Sequence, residues 1–162
     1  MSDKPFKFTL VSPNGALVEG ADAIAVNVVG SQGTFNARPG HEPFLTDTKV
    51  FFEYKDGQRL DRGIEVWYRT PAGEEITYYV CKGYVEVLPD RVTVLAEDAY
   101  LASEVTEEEE RERQKEILKQ LEDAGKLPEG ARGAIEINDL EIQLQKSVAR
   151  LNYAKSKKGK NI

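Results

Sequence analysis

Apolar and polar side chains alternate through much of residues 6–97, which is the period of half-buried β-strands. The alternation is clearest at residues 6–10 and 24–28. Proline, glycine and aspartate interrupt the pattern at residues 70–73 and 88–91, where they favour turns between paired strands. Short strands separated by turns, with no helices between them, predict an all-β sandwich or barrel.

The pattern becomes helical in the C-terminal part of the chain. Thr106 and Glu109 have the spacing of a capping box, and glutamates in the first turn favour the positive end of the helix dipole. We expect this helix to run to about Ala124, with Gly125 as its C-terminal stop. Residues 107–116 are nearly all charged, so the predicted inward face is thin and lies in the second half of the helix.

A second helix is predicted to begin near Asn138, whose side chain can cap it. Its apolar residues form one narrow stripe made of Leu140, Leu144, Val148 and Leu151. Two helices with narrow stripes predict an antiparallel hairpin. Because burial contributes only about 25 cal/mol per Å² of apolar surface, such a hairpin docks weakly and can exchange between packing sites. A permanently docked hairpin is the alternative that the pattern leaves open.

These patterns together predict an α+β protein in two parts, an all-β sandwich over residues 1–98 and an antiparallel two-helix hairpin over residues 99–162.

Charge is segregated between regions of the chain. Residues 97–124 hold eleven acidic and four basic side chains, whereas residues 146–162 hold six basic side chains and no acidic one. The net charge of −6 argues against a general nucleic-acid binder. The basic tail is either a solvated terminus or a surface for an acidic partner.

Residues 30–46 concentrate glycine, proline and the single histidine, as a catalytic loop would. A triad of Ser31, His41 and Asp47 has only proximity in its favour, because Ser31 lies in no Gly-x-Ser-x-Gly elbow. One histidine and one cysteine do not supply a familiar zinc set, and Cys81 is predicted to be a buried, inert thiol. Phosphate-loop and dinucleotide fingerprints are missing from the sequence. We therefore expect no cofactor, no metal site and no catalysis, and an interaction module is favoured.

Composition places the chain among folded proteins that lack a membrane span. The longest apolar runs fall well short of the roughly 18–20 residues that cross a bilayer. The first ten residues lack the basic and then apolar layout of a signal peptide, so the protein is expected to stay where it is made. A single cysteine excludes an internal disulfide.

Several stretches spread along the chain resemble the epsilon subunit of F-type ATP synthases. A Gly-Ser-x-Gly turn stands at residues 30–33, and a Pro-Gly-His-x-Pro-x-Leu-Thr run stands at residues 39–46. Residues 9–13 are similar to the first hairpin of the family, and residues 83–87 and 91–96 are similar to its last strands. The acidic two-helix C-terminus follows at the expected place, so the resemblance covers nearly the whole chain.

The resemblance implies a β-sandwich at the foot of the central rotor stalk, bound to the gamma subunit and to the ring of c subunits. There it links proton flow to ATP synthesis without catalysing a reaction itself. The implied location is peripheral to the membrane, on the cytoplasmic face of a bacterial plasma membrane. In some members the hairpin extends to the alpha and beta subunits and restrains ATP hydrolysis. A free-standing β-sandwich that binds a ligand or acts as an adaptor is the alternative.

The same resemblance assigns contacts to individual residues. Those expected to face the c ring are Ser31, Gln32, Thr34 and His41. Proline and glycine stiffen this loop, so it loses little entropy on docking and transmits torque. The cations expected to meet an acidic segment of the catalytic subunits are Lys146, Arg150, Lys155, Lys157 and Lys158.

The chain departs from the family pattern in three places. Residues 47–62 form an insertion, predicted to be an extra strand pair that turns at Asp56 and Gly57. Residues 80–83 replace a Ser-Gly-Gly run, so a close backbone approach there is expected to differ. Some members bind ATP through an Ile/Leu-Asp-x-x-Arg-Ala motif, and the matching positions here are Val105, Thr106, Glu109 and Glu110. An acidic side chain in place of the arginine repels phosphate, so strong ATP binding is not expected.

Overall fold

A computed structural model describes residues 4–126 and 134–159 of the chain. The strands are β1 (Phe6–Ser12), β2 (Gly15–Ala23), β3 (Ala25–Gly30), β4 (Gly33–Ala37), β5 (Phe44–Asp47), β6 (Phe51–Lys55), β7 (Gln58–Arg62), β8 (Ile64–Arg69), β9 (Glu75–Leu88) and β10 (Arg91–Leu101). A short 3-10 helix over Ala102–Glu104 precedes the helices α1 (Glu107–Gly125) and α2 (Ala134–Gly159). The predicted order of a β-sandwich followed by two helices is confirmed.

The chain divides into two compact units whose limits differ from the expected boundary after residue 98. The first unit ends at Phe51 and resumes over Gly63–Glu104. The second unit contains Phe52–Arg62 and the chain from Val105 onward. The first unit passes residue 98 because β10 continues to pair with β9 as far as Leu101. The inserted strand pair belongs with the helices because β7 packs against α2.

The first unit is a single eight-stranded sheet folded into a sandwich. Its strand order is β2-β1-β10-β9-β8-β3-β4, and β5 also pairs with β9. The long strand β9 pairs with β8 near Val80 and with β5 near Val87, so its two halves serve different layers. Alternate side chains of both layers point inward, as the two-residue period predicts. The largest side chains of this core include Phe6, Phe8, Leu10, Val66, Tyr68 and Val87.

Both predicted turns of the sandwich and the predicted turn of the insertion are confirmed. The Gly73 amide donates to the Thr70 carbonyl at 2.9 Å, and a turn after Leu88 joins β9 to β10. In the β6–β7 hairpin, Asp56 and Gly57 have φ angles of 53° and 77°. Positive φ at both central residues matches a type I′ turn, for which Asp-Gly is a preferred pair.

The helix ends differ in part from the sequence-based expectation. Thr106 caps α1 as predicted, since its Oγ1 accepts the Glu109 amide at 3.2 Å. The expected end of α1 near Ala124 lies within one residue of the observed end at Gly125, but the C-cap is Lys126, in a right-handed helical conformation, rather than Gly125. The expected start near Asn138 was wrong, because α2 begins at Ala134. The predicted connection through residues 128–133 lies outside the described residues.

Gly63 offers a direct test of the close packing between β8 and β9. A Cβ atom on Gly63 would lie 2.3 Å from the Val80 carbonyl oxygen, which is backbone and cannot turn aside. We expect Gly63→Ala to destabilise the sandwich by about 2 kcal/mol, as overpacking does. The single tryptophan, Trp67, lies in the sandwich, so urea unfolding followed by its fluorescence measures this loss. Gly125→Ala is the control, since nothing lies within 4 Å of its added Cβ. Equal midpoints for the two variants would contradict the packing argument.

Candidate interaction surfaces

The turn between β3 and β4 is tied to the end of β5. The Ser31 amide donates to the Asp47 carbonyl at 3.0 Å, and the Ser31 hydroxyl donates to the Asp47 carboxylate. Ser31, Gln32 and Thr34 are exposed around this turn, and we call them the turn patch. These bonds hold the turn in one position, so the turn patch is preorganised for docking.

His41 lies beyond the opposite end of β4. The Gly40 amide donates to the Pro89 carbonyl at 2.8 Å, which places this loop beside the turn between β9 and β10. The His41 amide donates to the Arg38 carbonyl at 3.0 Å, and His41 Nδ1 lies 2.6 Å from the Glu42 carbonyl oxygen. Four residue steps along β4 span about 13 Å. Backbone hydrogen bonds tie the loop to its neighbours, and the residues predicted to contact the c ring lie toward both ends of β4.

The same geometry decides against a catalytic triad. Ser31 and Asp47 are in contact, whereas His41 bonds within its own loop at the other end of β4. Cys81 is buried, as predicted, and burial together with the Cys81 side chain raises the pKa of Tyr79 above its ordinary value. Among residues 4–126 and 134–159, no group of His, Cys, Asp and Glu side chains is placed to hold a metal ion.

An apolar patch on the outer face of the sheet was missed by the sequence reasoning. Leu95 pairs with Tyr84 on one side and with Val11 on the other, so their side chains share one face. Leu45 lies diagonal to Tyr84 on the neighbouring strand β5. Leu45, Tyr84 and Leu95 are exposed by 71%, 66% and 54%. We call Val11, Leu45, Tyr84 and Leu95 the apolar sheet face. The available signal was an apolar residue at outward positions of the alternation.

Helix α1 is joined to α2 by a buried ion pair. Glu110 is 1% exposed, and its carboxylate accepts the Arg150 Nε at 2.9 Å and the Ser147 hydroxyl at 2.7 Å. Arg113 approaches the same carboxylate at 3.5 Å. The prediction that the inward face of α1 lies only in its second half was therefore wrong. A charged residue faces inward here because its charge is matched by a buried partner.

The predicted tail cations occupy different environments. Arg150 is buried in the pair with Glu110, and the Lys157 ammonium donates to the Val105 carbonyl at 2.8 Å. Lys146 is half-buried and Lys155 is exposed. The side chain of Lys158 lies outside the described residues. Two of the predicted cations are thus engaged within the hairpin.

Neither helix within residues 4–126 and 134–159 is both long enough and apolar enough to cross a membrane.

Comparison with known proteins identifies the family. The sequence model described as "ATP synthase, Delta/Epsilon chain, beta-sandwich domain" matches residues 5–102. The ATP synthase epsilon chain of Desulforapulum autotrophicum is 31% identical over 149 residues, covering 91% of this chain and 94% of that protein. The epsilon chain of Chromohalobacter salexigens is 33% identical over 142 residues, covering 86% of this chain and 89% of that protein.

A solved structure shows the same fold. A chain from the cryo-EM structure of the Euglena gracilis mitochondrial ATP synthase is similar with a TM-score of 0.57 and 12% identity, covering 96% of this chain and 83% of that chain. The sandwich, the two helices and the sequence relatives agree along almost the whole chain, and this protein belongs to the family of ATP synthase epsilon chains.

Proposed function

We propose that this epsilon chain is a non-catalytic rotor component that joins the gamma subunit to the c ring and restrains ATP hydrolysis through its helical hairpin. The apolar sheet face carries the proposal, because a solvent-exposed patch of this kind marks an interaction site. The separation of His41 from Ser31 and Asp47 removes the best catalytic candidate. The protein would then lie peripheral to the membrane, on the cytoplasmic face in a bacterium.

The apolar sheet face is the surface we assign to the gamma subunit. Tyr84 and Leu95 are neighbours on antiparallel strands, so they form one continuous contact. Because they stand on paired strands of the sandwich, little ordering is needed when a partner covers them. Large aromatic side chains at the centre of an interface commonly carry most of its binding energy.

Replacing Tyr84 and Leu95 with arginine should weaken binding of the full chain to the gamma subunit at least 30-fold, which corresponds to about 2 kcal/mol. The measurement is a pull-down or titration with purified gamma. Leu118→Arg is a matched control, since Leu118 on α1 is 53% exposed and Leu95 is 54% exposed. Equal binding by both variants would remove the assignment. Failure of the unchanged chain to bind gamma would favour a free-standing adaptor.

The turn patch is the surface we assign to the c ring. Its exposed side chains are polar, and the Ser31–Asp47 bonds fix its backbone. A contact that transmits torque benefits from this stiffness. His41 remains a predicted ring contact, and its position beyond the far end of β4 makes it a separate one.

Replacing Gln32 and Thr34 with alanine should weaken binding of the gamma–epsilon complex to membranes that carry the c ring about tenfold. Two lost polar contacts of about 1 kcal/mol each are sufficient for that loss. Sedimentation with membranes stripped of the catalytic head gives the binding constant. His41→Ala is measured in parallel, and Glu74→Ala in the exposed turn after β8 is the control. Unchanged binding of the double variant would exclude the turn patch from the ring contact.

The hairpin is assigned to restraint of hydrolysis. Arg150 cannot reach another anion while Glu110 holds it, so contact with an acidic segment of the catalytic subunits requires α1 and α2 to separate locally. Lys157 is held in the same way by the Val105 carbonyl. The folded-back hairpin, in which α2 packs on α1, is therefore the non-inhibiting state. When the two helices separate, Arg150 and Lys157 become available to an acidic partner.

Removal of residues 105–162 should raise ATP hydrolysis by the assembled enzyme. If the inhibited state holds between one half and nine tenths of the molecules, the rise is about two- to tenfold. The cut follows Glu104, where the sandwich unit ends, so binding to gamma serves as the control for assembly. Unchanged hydrolysis by an assembled, truncated complex would contradict the inhibitory role.

A further inference from the structure

The inserted hairpin β6–β7 begins and ends in the sandwich but packs with the helices. Residues 52–62 belong to the same compact unit as α1 and α2, while Phe51 and Gly63 belong to the sandwich. Strand β7 lies against α2. Leu60 and Arg62 on β7 are half-buried, whereas residues 51–59 are exposed. The hairpin thus has an inner strand that contacts α2 and an outer strand that faces solvent.

Contacts within the hairpin make it a stiff element. The type I′ turn sets its register, and Arg59 stacks on the Phe52 ring at 4.2 Å while pairing with Asp61 at 2.7 Å. Tyr54 packs edge-on against Phe52 at 5.9 Å between ring centroids. An isolated two-stranded hairpin is marginal in water, so the packing of β7 on α2 is part of what orders it.

The part of α2 that needs a second neighbour lies in its C-terminal half. Ser147 and Arg150 face α1 through their bonds to Glu110. Ala149 is 4% exposed, and it lies about 160° around the helix from Ser147 and about 100° from Arg150. A single neighbouring helix covers only one stripe of a helix. α1 therefore does not account for the burial of Ala149, and β7 is a second element packed on α2.

We propose that residues 52–62 are a strap that holds α2 in the folded-back hairpin. Both ends of the strap are covalently continuous with strands of the sandwich, so the strap cannot leave with α2. Opening of the hairpin must therefore break the β7–α2 packing as well as the Glu110–Arg150 pair. The proposal that residues 52–62 hold α2 depends only on the β7–α2 packing. Its consequence for hydrolysis rests on the proposed inhibitory function.

Amide hydrogen exchange of the full-length protein tests the strap. Leu60→Asp places a charge on the half-buried strand, and we expect amides of residues 147–154 to exchange at least tenfold faster. Tyr54→Asp is the matched control, because Tyr54 is 70% exposed on the outer strand. Amides of β8 report on the sandwich and should be unchanged in both variants.

A second variant removes the strap without relying on one side chain. Pairing outward from the two-residue turn makes Phe51 and Arg62 neighbours, so residues 52–61 can be replaced by Asn-Gly with the Phe51–Arg62 pair closing the turn. The same acceleration in residues 147–154 is expected. Unchanged exchange of residues 147–154 in both the Leu60→Asp variant and the Asn-Gly variant would overturn the strap. Faster exchange throughout the sandwich would also overturn it, because the insertion would then be part of the sandwich fold.

Hydrolysis by the assembled enzyme separates the strap from the proposed function. If the hairpin inhibits, the strapless enzyme should hydrolyse ATP at least twofold more slowly than the unchanged enzyme, while the form truncated after Glu104 is faster than both. If truncation leaves hydrolysis unchanged, the inhibitory function fails, and the exchange data still decide the strap. If truncation accelerates hydrolysis but the strapless enzyme matches the unchanged one, the regulatory consequence of the strap is overturned.

Discussion

The buried Glu110–Arg150 pair is the interaction on which the helical hairpin depends. Residues 107–116 offer almost no apolar surface, so this half of α1 has little else to hold it against α2. Removing one member of a buried ion pair costs roughly 3–5 kcal/mol, because its partner stays buried without a counter-charge. The Ser147 hydroxyl completes the carboxylate's bonding. Since the pair joins the first turn of α1 to the C-terminal half of α2, it also sets the antiparallel register.

The same guanidinium that closes the hairpin is assigned to the inhibitory contact. An external anion must replace Glu110 before it can bind Arg150. The apparent affinity of that anion is therefore its intrinsic affinity multiplied by the fraction of molecules in which the pair is open. Glu110 in the closed form and an external anion in the open form then compete for the Arg150 guanidinium. Their balance depends on the difference between two anionic environments rather than on either alone.

The sequence was sufficient where local chemistry decides structure. Alternation placed the strands, and Asp56-Gly57 identified the inserted turn, because positive φ angles restrict which residues can stand there. It was insufficient where distant segments meet. Glu110 looks like a solvated charge until Arg150, 40 residues away, is brought beside it. The positions of Ser31 and His41 toward opposite ends of β4 likewise become known only from the fold.

The two units respond differently to change because their stability is built differently. The sandwich is stabilised by a continuous core of apolar side chains between Phe6 and Ala99. Each buried side chain contributes a small part of the total free energy of unfolding. The hairpin rests on the buried Glu110–Arg150 pair, thin apolar stripes and the β7–α2 packing. A shift of about 1.4 kcal/mol changes an open-to-closed ratio tenfold. A change in residues 52–62, which pack with α2, can therefore shift the open-to-closed ratio of the hairpin while the sandwich keeps its structure.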